Sequence, residues 1–572
     1  MHSVVVNLRF VLLVLLIGVL SACSTSELPT QANEPSPSHL TTVQISAADT
    51  RADVEARYGG SVLVFRPEAG FAILGLDQEE GELSTLATET SEDAFSSPEV
   101  SASGYSAWAG GFSAWAGGWS AWAGGWSAWA GGSGTSGPNE NNNAWQQIKL
   151  KEAHAVSRNF GDGVKVAVID TGFDLDHPVL ANHLAPRSEW KDFIDNDDYP
   201  AEPNSGRGHG HGTAVAGIVL QVAPKATILP IRVLESDGTG DLDDVIAAID
   251  YAISQGARVI NLSLGTNQWS NSLYHMLYLA KQSKVYVVAS AGNSGQGLTY
   301  PGNMSWYADT HPYVASVGSV DANGVVSDFS SYQGHLYALA PGEAIASAFP
   351  GKQRGAFRGT SFAAPMVSGA LALAIGEDPS YSESLIARVY QTRDSGVRDR
   401  TLATRGFDLW QYTTNNPGVL DVEKLIREMP NFKEPVYTIK NVKSNKCLDV
   451  SEGSQSDGAS IIQWACSGSK NQQWKLEVSG DYFELRSLSS DKLVSVSGAS
   501  KNSGANIDQW TDVSGANQQW ALRGAGTGFE IIAKHSNKCI DVAQGSTKDG
   551  ANVIQWACHG GRNQAWRLEL SN

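Results

Sequence analysis

From Tyr437 onward the chain repeats with a period of 46 residues, and few architectures accommodate such a repeat. Tyr437, Phe483 and Phe529 recur at that step, as do Trp464, Trp510 and Trp556, and again Trp474, Trp520 and Trp566. Each unit closes on a related string: Asn471-Gln472-Gln473-Trp474, Asn517-Gln518-Gln519-Trp520 and Asn563-Gln564-Ala565-Trp566. A module of this length cannot bury its apolar face alone, so three equal β-rich copies imply an all-β trefoil around one shared core. A chain of 572 residues exceeds what one core serves, and further domains are expected upstream.

Three short strings there carry chemistry. The apolar run Val166-Ala167-Val168-Ile169-Asp170 reads as a buried parallel strand that delivers a carboxylate to the carboxyl edge of a sheet. In Gly210-His211-Gly212-Thr213, His211 stands where a glycine-rich loop gives way to a small-residue helix. Ser361, in Gly359-Thr360-Ser361-Phe362-Ala363-Ala364-Pro365, opens a helix expected over 362–372, with Pro365 in its first turn, where a missing N–H is tolerated. A serine hydroxyl is a weak nucleophile until a base takes its proton and a third group holds the base. Asp170, His211 and Ser361 supply all three. His209 competes for the base role and is read as a solvated loop residue.

These strings, in the order Asp, His, Ser, resemble the subtilisin-like serine proteases over about residues 145–429. Strand and helix patterns alternate over 226–233, 241–254, 259–262 and 273–282, as a parallel α/β/α sheet requires. The resemblance implies a serine endopeptidase acting on proteins or peptides through an acyl-enzyme, with no catalytic cofactor. It places Asn293, at the end of Ser290-Ala291-Gly292-Asn293, in the oxyanion hole. Gly238, Thr239 and Gly240 on one side and Ser263, Leu264 and Gly265 on the other are expected to sandwich substrate as an added strand, with Ser290, Ala291 and Gly292 completing the cleft. Thr299, before Tyr300-Pro301-Gly302, falls at the base of the primary pocket. A β-branched residue there is expected to favour medium apolar side chains over large aromatics.

The carboxyl-terminal repeats resemble the ricin-type lectin domain. The resemblance implies sugar pockets built from Asp449, Trp464, Asn471 and Gln472, and from Asp541, Trp556, Asn563 and Gln564. The middle repeat has Ser495 in place of the pocket aspartate and is expected not to bind. Ile462 and Ile554 stand where a polar ligand is common, and the Asn-Gln-x-Trp string is also a structural element of the trefoil, so a non-binding scaffold stays open.

Four of the five cysteines lie in these repeats, Cys447 with Cys466 and Cys539 with Cys558 at equal spacing. Two short disulfide loops suit an exported chain; zinc is the rival, without CxxC spacing to support it. Cys23 ends Leu20-Ser21-Ala22-Cys23 after the apolar run 10–20, too short to span a bilayer but long enough for an export signal. The four residues resemble a bacterial lipoprotein box, which implies cleavage after residue 22, acylation of Cys23 and a membrane attachment; an ordinary signal peptide is the alternative. Exported, outer-membrane, cell-surface and extracellular destinations follow. A net charge of −18 argues against nucleic acid as a partner.

The expected order is a signal over 1–22, a small α+β propeptide-like segment over 23–104, repeats and linker over 105–143, the peptidase over 144–430, a short linker over 431–435 and the trefoil over 436–572. Within 105–143, four Gly/Trp heptads begin at Tyr105, Phe112, Trp119 and Trp126. An odd period flips successive tryptophans across a strand, and two glycines per repeat weaken a helix by about 1 kcal/mol each. They read as a connector, a glycan-binding aromatic surface or an occupant of the cleft. Asp192, Asp195 and Asp197 form an acidic loop whose hard oxygens suit a structural calcium, against a solvated acidic turn. The chain as a whole reads as a secreted or surface-anchored serine endopeptidase targeted to glycans; the alternative is a surface carbohydrate-binding adhesin with a vestigial protease fold.

Overall fold

The computed structural model describes residues 39–76, 90–92, 100–102, 141–393 and 418–571, apart from 203–204, 306, 308–309, 333, 382–383 and 526–527. The signal segment 1–22, Cys23 and the heptads lie outside the described residues.

An α+β unit comes first, with strand β1 (His39–Gln44), helix α1 (Arg51–Tyr58), β2 (Ser61–Arg66), β3 (Phe71–Leu76) and β4 (Thr90–Glu92). The strands form an antiparallel sheet in the order β2-β3-β1-β4. Helix α1 begins at a capping box in which Thr50 and Asp53 accept each other's backbone amides. Val43, Val54, Val62, Ala72 and Leu74 close a small core on one face. Leu40, Val64, Phe71 and Ile73 on the other face join the core of the next domain, and Arg66 Nε donates to Asp250 at 2.6 Å. A separate short strand, β5 (Val100–Ala102), follows.

The central domain opens with α2 (Asn142–Gln147), α3 (Leu150–Val156), β6 (Lys165–Asp170) and β7 (Lys191–Asp192). It continues through α4 (His211–Val222), β8 (Thr227–Arg232), β9 (Thr239–Gly240), α5 (Leu242–Ser254), β10 (Val259–Leu262), β11 (Leu264–Gly265) and α6 (Asn271–Gln282). Then come β12 (Tyr286–Ser290), β13 (Val314–Val320), β14 (Ala338–Pro341), the hairpin β15 (Ile345–Phe349) and β16 (Gln353–Phe357), and helix α7 (Thr360–Glu377). Seven strands pair in parallel in the order β14-β13-β12-β10-β6-β8-β7. Successive residues of β6 serve opposite layers: Val166 and Val168 pack with α4 and α7, Ala167 and Ile169 with α5 and α6. Crossover helices thus cover both faces, and ligands belong at the carboxyl edge of such a sheet.

Helix α7 starts at Thr360, earlier than its apolar pattern indicates, so Pro365 falls beyond the first turn. The missing N–H of Pro365 leaves the Ser361 carbonyl without its helical donor, and the Ser263 hydroxyl takes that carbonyl at 2.7 Å. The helix is apolar on most positions because it is buried in the domain core.

In the trefoil, strands Tyr437–Asn441, Cys447–Val450, Ala459–Trp464 and Gln473–Ser479 form the first repeat, and the same four recur twice. The first strand pairs with the last, Tyr437 opposite Leu570, and closes the barrel. Trp474, Trp520 and Trp566 are fully buried at its axis, their indole N–H groups donating to the carbonyls of Leu448, Val494 and Ile540 at 3.2, 3.1 and 3.1 Å. Disulfides join Cys447 to Cys466 and Cys539 to Cys558. Helix α3 docks here: Ala155 packs into the trefoil core, and Lys151 lies over the Phe483 ring and donates to the Gly480 carbonyl at 2.7 Å.

Candidate active site

Asp170, the last residue of β6, reaches the carboxyl edge, where its Oδ1 accepts from Nδ1 of His211 at 2.6 Å and from the Thr171 amide at 2.8 Å. Both side chains are wholly buried. His211 is the first residue of α4 and its N-cap, Gly210, sits at φ 87°, a left-handed conformation that glycine adopts without strain. Gly212 is required for close approach, since a Cβ there would lie 2.4 Å from the Gly172 carbonyl oxygen. With Nδ1 tied to a carboxylate, Nε2 is the ring nitrogen that can accept a proton, and it has no hydrogen-bond partner. His209 instead packs edge-on against Phe349, 24% exposed.

Ser361 is the second residue of α7, after Gly359 at φ 147°. Its hydroxyl donates to the Ser263 carbonyl at 3.0 Å. Beneath it runs a buried relay that no motif indicated: Ser368 donates to Asn261 Oδ1 at 2.8 Å, and Asn261 Nδ2 to the Ser263 hydroxyl at 2.9 Å. Two polar side chains of a core helix and a core strand thereby fix Ser263 beside Ser361. Asn293, past the end of β12, accepts from the Thr360 amide at 2.9 Å and the Thr360 hydroxyl at 3.2 Å through Oδ1. That fixes the amide's orientation and leaves Nδ2, buried and without a partner, as the donor on offer.

The segments expected to grip substrate already hold a strand. β5 lies between β9 and β11 and is antiparallel to both, with Val100 opposite Gly240, Ser101 opposite Thr239 and Gly265, and Ala102 opposite Leu264. Ser290, Ala291 and Gly292 lie at the carboxyl end of β12 beside them, with Ser290 Oγ donating to the Leu264 carbonyl at 3.5 Å. Thr299 wedges into this wall: a Cβ on Gly265 would meet its Oγ1 at 2.6 Å and one on Gly292 its Cγ2 at 2.9 Å.

A carboxylate absent from the sequence reading, Glu202, lies under the base. It accepts from the Gly210 amide at 2.6 Å and the Thr213 hydroxyl at 2.6 Å, and burial pushes its carboxyl up to about 8. Only its exact place in a long loop, well before the His211 string, makes it relevant, and nothing in the local pattern marks that place.

The three carboxylates of the acidic loop each have partners within the protein. Asp192 Oδ1 accepts from the Ile194 and Asp195 amides, and Arg232 bridges Asp192 at 3.0 Å and Asp195 at 2.6 Å. Asp197 turns to the Tyr199 amide at 2.7 Å. Among the described residues no three His, Cys, Asp or Glu side chains converge as a metal site, and the Arg232 guanidinium supplies the positive charge between the first two carboxylates.

In the trefoil, Asn471 Nδ2 and Gln472 Nε2 donate to the two oxygens of Asp449 at 3.0 and 2.7 Å. Asn563 and Gln564 hold Asp541 in the same way at 3.0 and 2.8 Å. Trp464 and Trp556 are exposed beside these carboxylates, each ring against a glycine of a neighbouring repeat, Gly550 and Gly504. The middle repeat transposes the pair. Ser495 faces Asp508 across the ladder, where the outer repeats set Asp449 against Ile462 and Asp541 against Ile554. Asn517 donates to Ser495 at 2.9 Å, while Asp508 Oδ1 is buried without a partner. In place of a disulfide, this repeat has Leu493 and Asp512, the latter paired with Arg486 at 3.1 Å.

Comparison with known proteins agrees with this geometry. The subtilase family model matches residues 161–408, and the model of the ricin-type beta-trefoil lectin domain-like family matches 428–510 and 516–572. Thermitase of Thermoactinomyces vulgaris is 36% identical over 259 residues, 44% of this chain and 87% of that protein. The chain belongs to the subtilase family. An intracellular serine protease of Paenibacillus polymyxa is 37% identical over 40% of this chain and 71% of its own length, and Subtilisin Savinase of Lederbergia lenta 38% identical over 39% and 80%. A designed 3-fold symmetric protein, ThreeFoil, is 45% identical over 23% of this chain and 96% of its own, with a TM-score of 0.23. This subtilase is thus a serine protease that carries a ricin-B-like lectin domain at its carboxyl end.

Proposed function

We propose that this subtilase is made as a self-blocked serine endopeptidase and delivered to glycan-bearing protein surfaces by its trefoil. Ser361 is the nucleophile, His211 the base and Asp170 the group that holds the imidazole. As Oγ attacks the scissile carbonyl, its proton passes to Nε2 of His211 and the carbonyl electrons move onto oxygen, beside Asn293 Nδ2 and the Ser361 amide. Collapse expels the amine with that proton and leaves an acyl-enzyme, which water then hydrolyses through the same base. The Ser361 hydroxyl, directed at Ser263 in the structure, must turn to His211 for the first step.

The observation that carries the reading is β5 in the cleft. Its register sets Ala102 opposite Leu264, and Leu264 directly follows Ser263, whose carbonyl accepts from the Ser361 hydroxyl. The segment that follows β5 is therefore the one we assign to self-cleavage, with β5 held as the bound strand on its amino-terminal side. Export through the 1–22 signal and a lipid on Cys23 complete the proposal, on the strength of their sequence alone. Casein hydrolysis by purified protein, lost on treatment with phenylmethylsulfonyl fluoride and in Ser361→Ala, is the test. Amino-terminal sequencing should find the active enzyme beginning after Ala102 and an uncut chain in Ser361→Ala. Hydrolysis that survives in Ser361→Ala overturns the assignment.

A further inference from the structure

We propose that Glu202 is a positioning residue for the base, clamping the start of α4 so that His211 faces the nucleophile. The inference rests on the assignment of His211 as the base. Helix α4 has no capping side chain of its own, because its N-cap is Gly210. Glu202 supplies the acceptor from another part of the chain. Its carboxylate takes the Gly210 amide at 2.6 Å, the Thr213 hydroxyl at 2.6 Å and the Thr213 amide, so the residues on both sides of His211 are held by one group. A negative charge is also favoured at the positive end of a helix.

The clamp is anchored to the segment that directly follows the strand bearing Asp170. The Glu202 amide donates to the Phe173 carbonyl at 2.9 Å, Phe173 pairs with Ala201, and Thr213 Oγ1 accepts from the Asp174 amide at 2.8 Å. The Asp170 and His211 sides of the dyad are therefore cross-linked twice through Glu202 and Thr213. A floppy capping loop would let the imidazole tilt, and a misplacement of about 1 Å in a catalytic group can cost ~10²-fold in rate.

Burial pushes the Glu202 carboxyl up to about 8, so its charge changes near that pH. Asp170 adds to the rise, and the three donated hydrogen bonds oppose it. The other charged groups around it are His211 on α4, His209 at 4.0 Å, and Asp174, Asp176 and Lys352 lining the adjoining pocket. The ionised carboxylate accepts all three bonds as stronger, charge-assisted ones; a proton on it takes one acceptor position and weakens the rest. The tighter clamp thus belongs to the higher pH.

The test compares Glu202→Gln, Glu202→Asp, Glu202→Ala and His211→Ala on a soluble peptide substrate, with kcat and KM followed from pH 5 to 10. Glu202→Ala should lose about 10- to 100-fold in kcat with KM changed less than about twofold. Glu202→Asp should recover part of that, and Glu202→Gln, which keeps the shape, should lose the limb near pH 8 in kcat while keeping the limb set by the base. Wild-type kcat and an unaltered profile in Glu202→Gln and Glu202→Ala, or losses confined to KM or to thermal stability, overturn the inference. Activity retained in His211→Ala would instead overturn the assignment of the base.

Discussion

The cleft and the lectin pockets use the same side-chain types in opposite ways. In the cleft, Asn293 and His211 are each anchored at one polar atom, Oδ1 by Thr360 and Nδ1 by Asp170, and each offers the other, buried and unpartnered. In the outer pockets Asn471, Gln472, Asn563 and Gln564 donate to both oxygens of Asp449 and Asp541. Leaving a buried polar atom unmade costs about 1–3 kcal/mol, so a fold retains one where a reaction will use it. On the proposed reading the cleft is held ready for a charge that appears only in a transition state, whereas the pocket carboxylates already accept from the trefoil's own amides.

The largest break in that contrast should come from Asn293→Ala. Removing the offered donor is expected to lower kcat by about 10²–10³ while KM hardly moves, because the hydrogen bond forms only to the developing oxyanion. Steady-state kinetics on one peptide substrate decides it, and a wild-type kcat would mean Nδ2 faces no oxyanion.

Next in size is Asp541→Ala. It removes the acceptor of the half-buried Asn563 and one of the two acceptors of the buried Gln564, which keeps the Ala557 carbonyl, and should cost the trefoil about 1–3 kcal/mol, read by chemical denaturation, besides abolishing any glycan binding by that pocket. Asp449→Ala should do the same in the first repeat. Loss of binding with unchanged stability would show the pockets to be poised like the cleft. A smaller effect, about tenfold, is expected for Thr299→Gly, which deepens the wall between Gly265 and Gly292 and should shift cleavage from medium apolar toward aromatic side chains before the scissile bond. Unchanged ratios of kcat/KM for leucyl and phenylalanyl substrates would remove Thr299 from the pocket.

Much of this was legible because motif and repeat report local geometry. Asp170, His211, Ser361 and Asn293 each sit where a strand ends or a helix begins, and a few small residues around them record that constraint. The 46-residue step recorded the barrel, and equal cysteine spacing recorded its disulfides. What was not legible depends on distance along the chain. Glu202 reaches Gly210 and Thr213 from a loop whose composition reads as plain acidic surface. Asn261 and Ser368 read as core strand and core helix residues until the fold joins them. Arg232, which bridges Asp192 and Asp195 of the acidic loop, likewise comes from a neighbouring strand. Pro365 was placed too early in its helix because the compensating donor, Ser263, lies about a hundred residues upstream.

The middle repeat sets the smallest and sharpest test. With Ser495 in the pocket position, its carboxylate has crossed the ladder to Asp508, 3% exposed, where Gln518 does not reach it: Gln518 Nε2 goes to the carbonyls of Trp510 and Thr511. Burial pushes the Asp508 carboxyl up to about 6, opposed by Ser497. A carboxyl raised on folding binds its proton more tightly in the native state than in the unfolded one. Its contribution is therefore fully present below the ordinary aspartate range near 4 and is lost as pH rises through about 6. Asp508→Asn removes the charge and keeps the shape, so it should raise the trefoil's Tm by a few °C at pH 8 and leave it nearly unchanged at pH 4. The same substitution at Asp449 or Asp541 should lower Tm at pH 8, because an amide cannot accept from Asn and Gln at both positions. Opposite signs at pH 8 would confirm that the middle repeat holds its carboxylate as the cleft holds Asn293, buried and with one atom unmade; equal signs would return it to the company of the outer pockets.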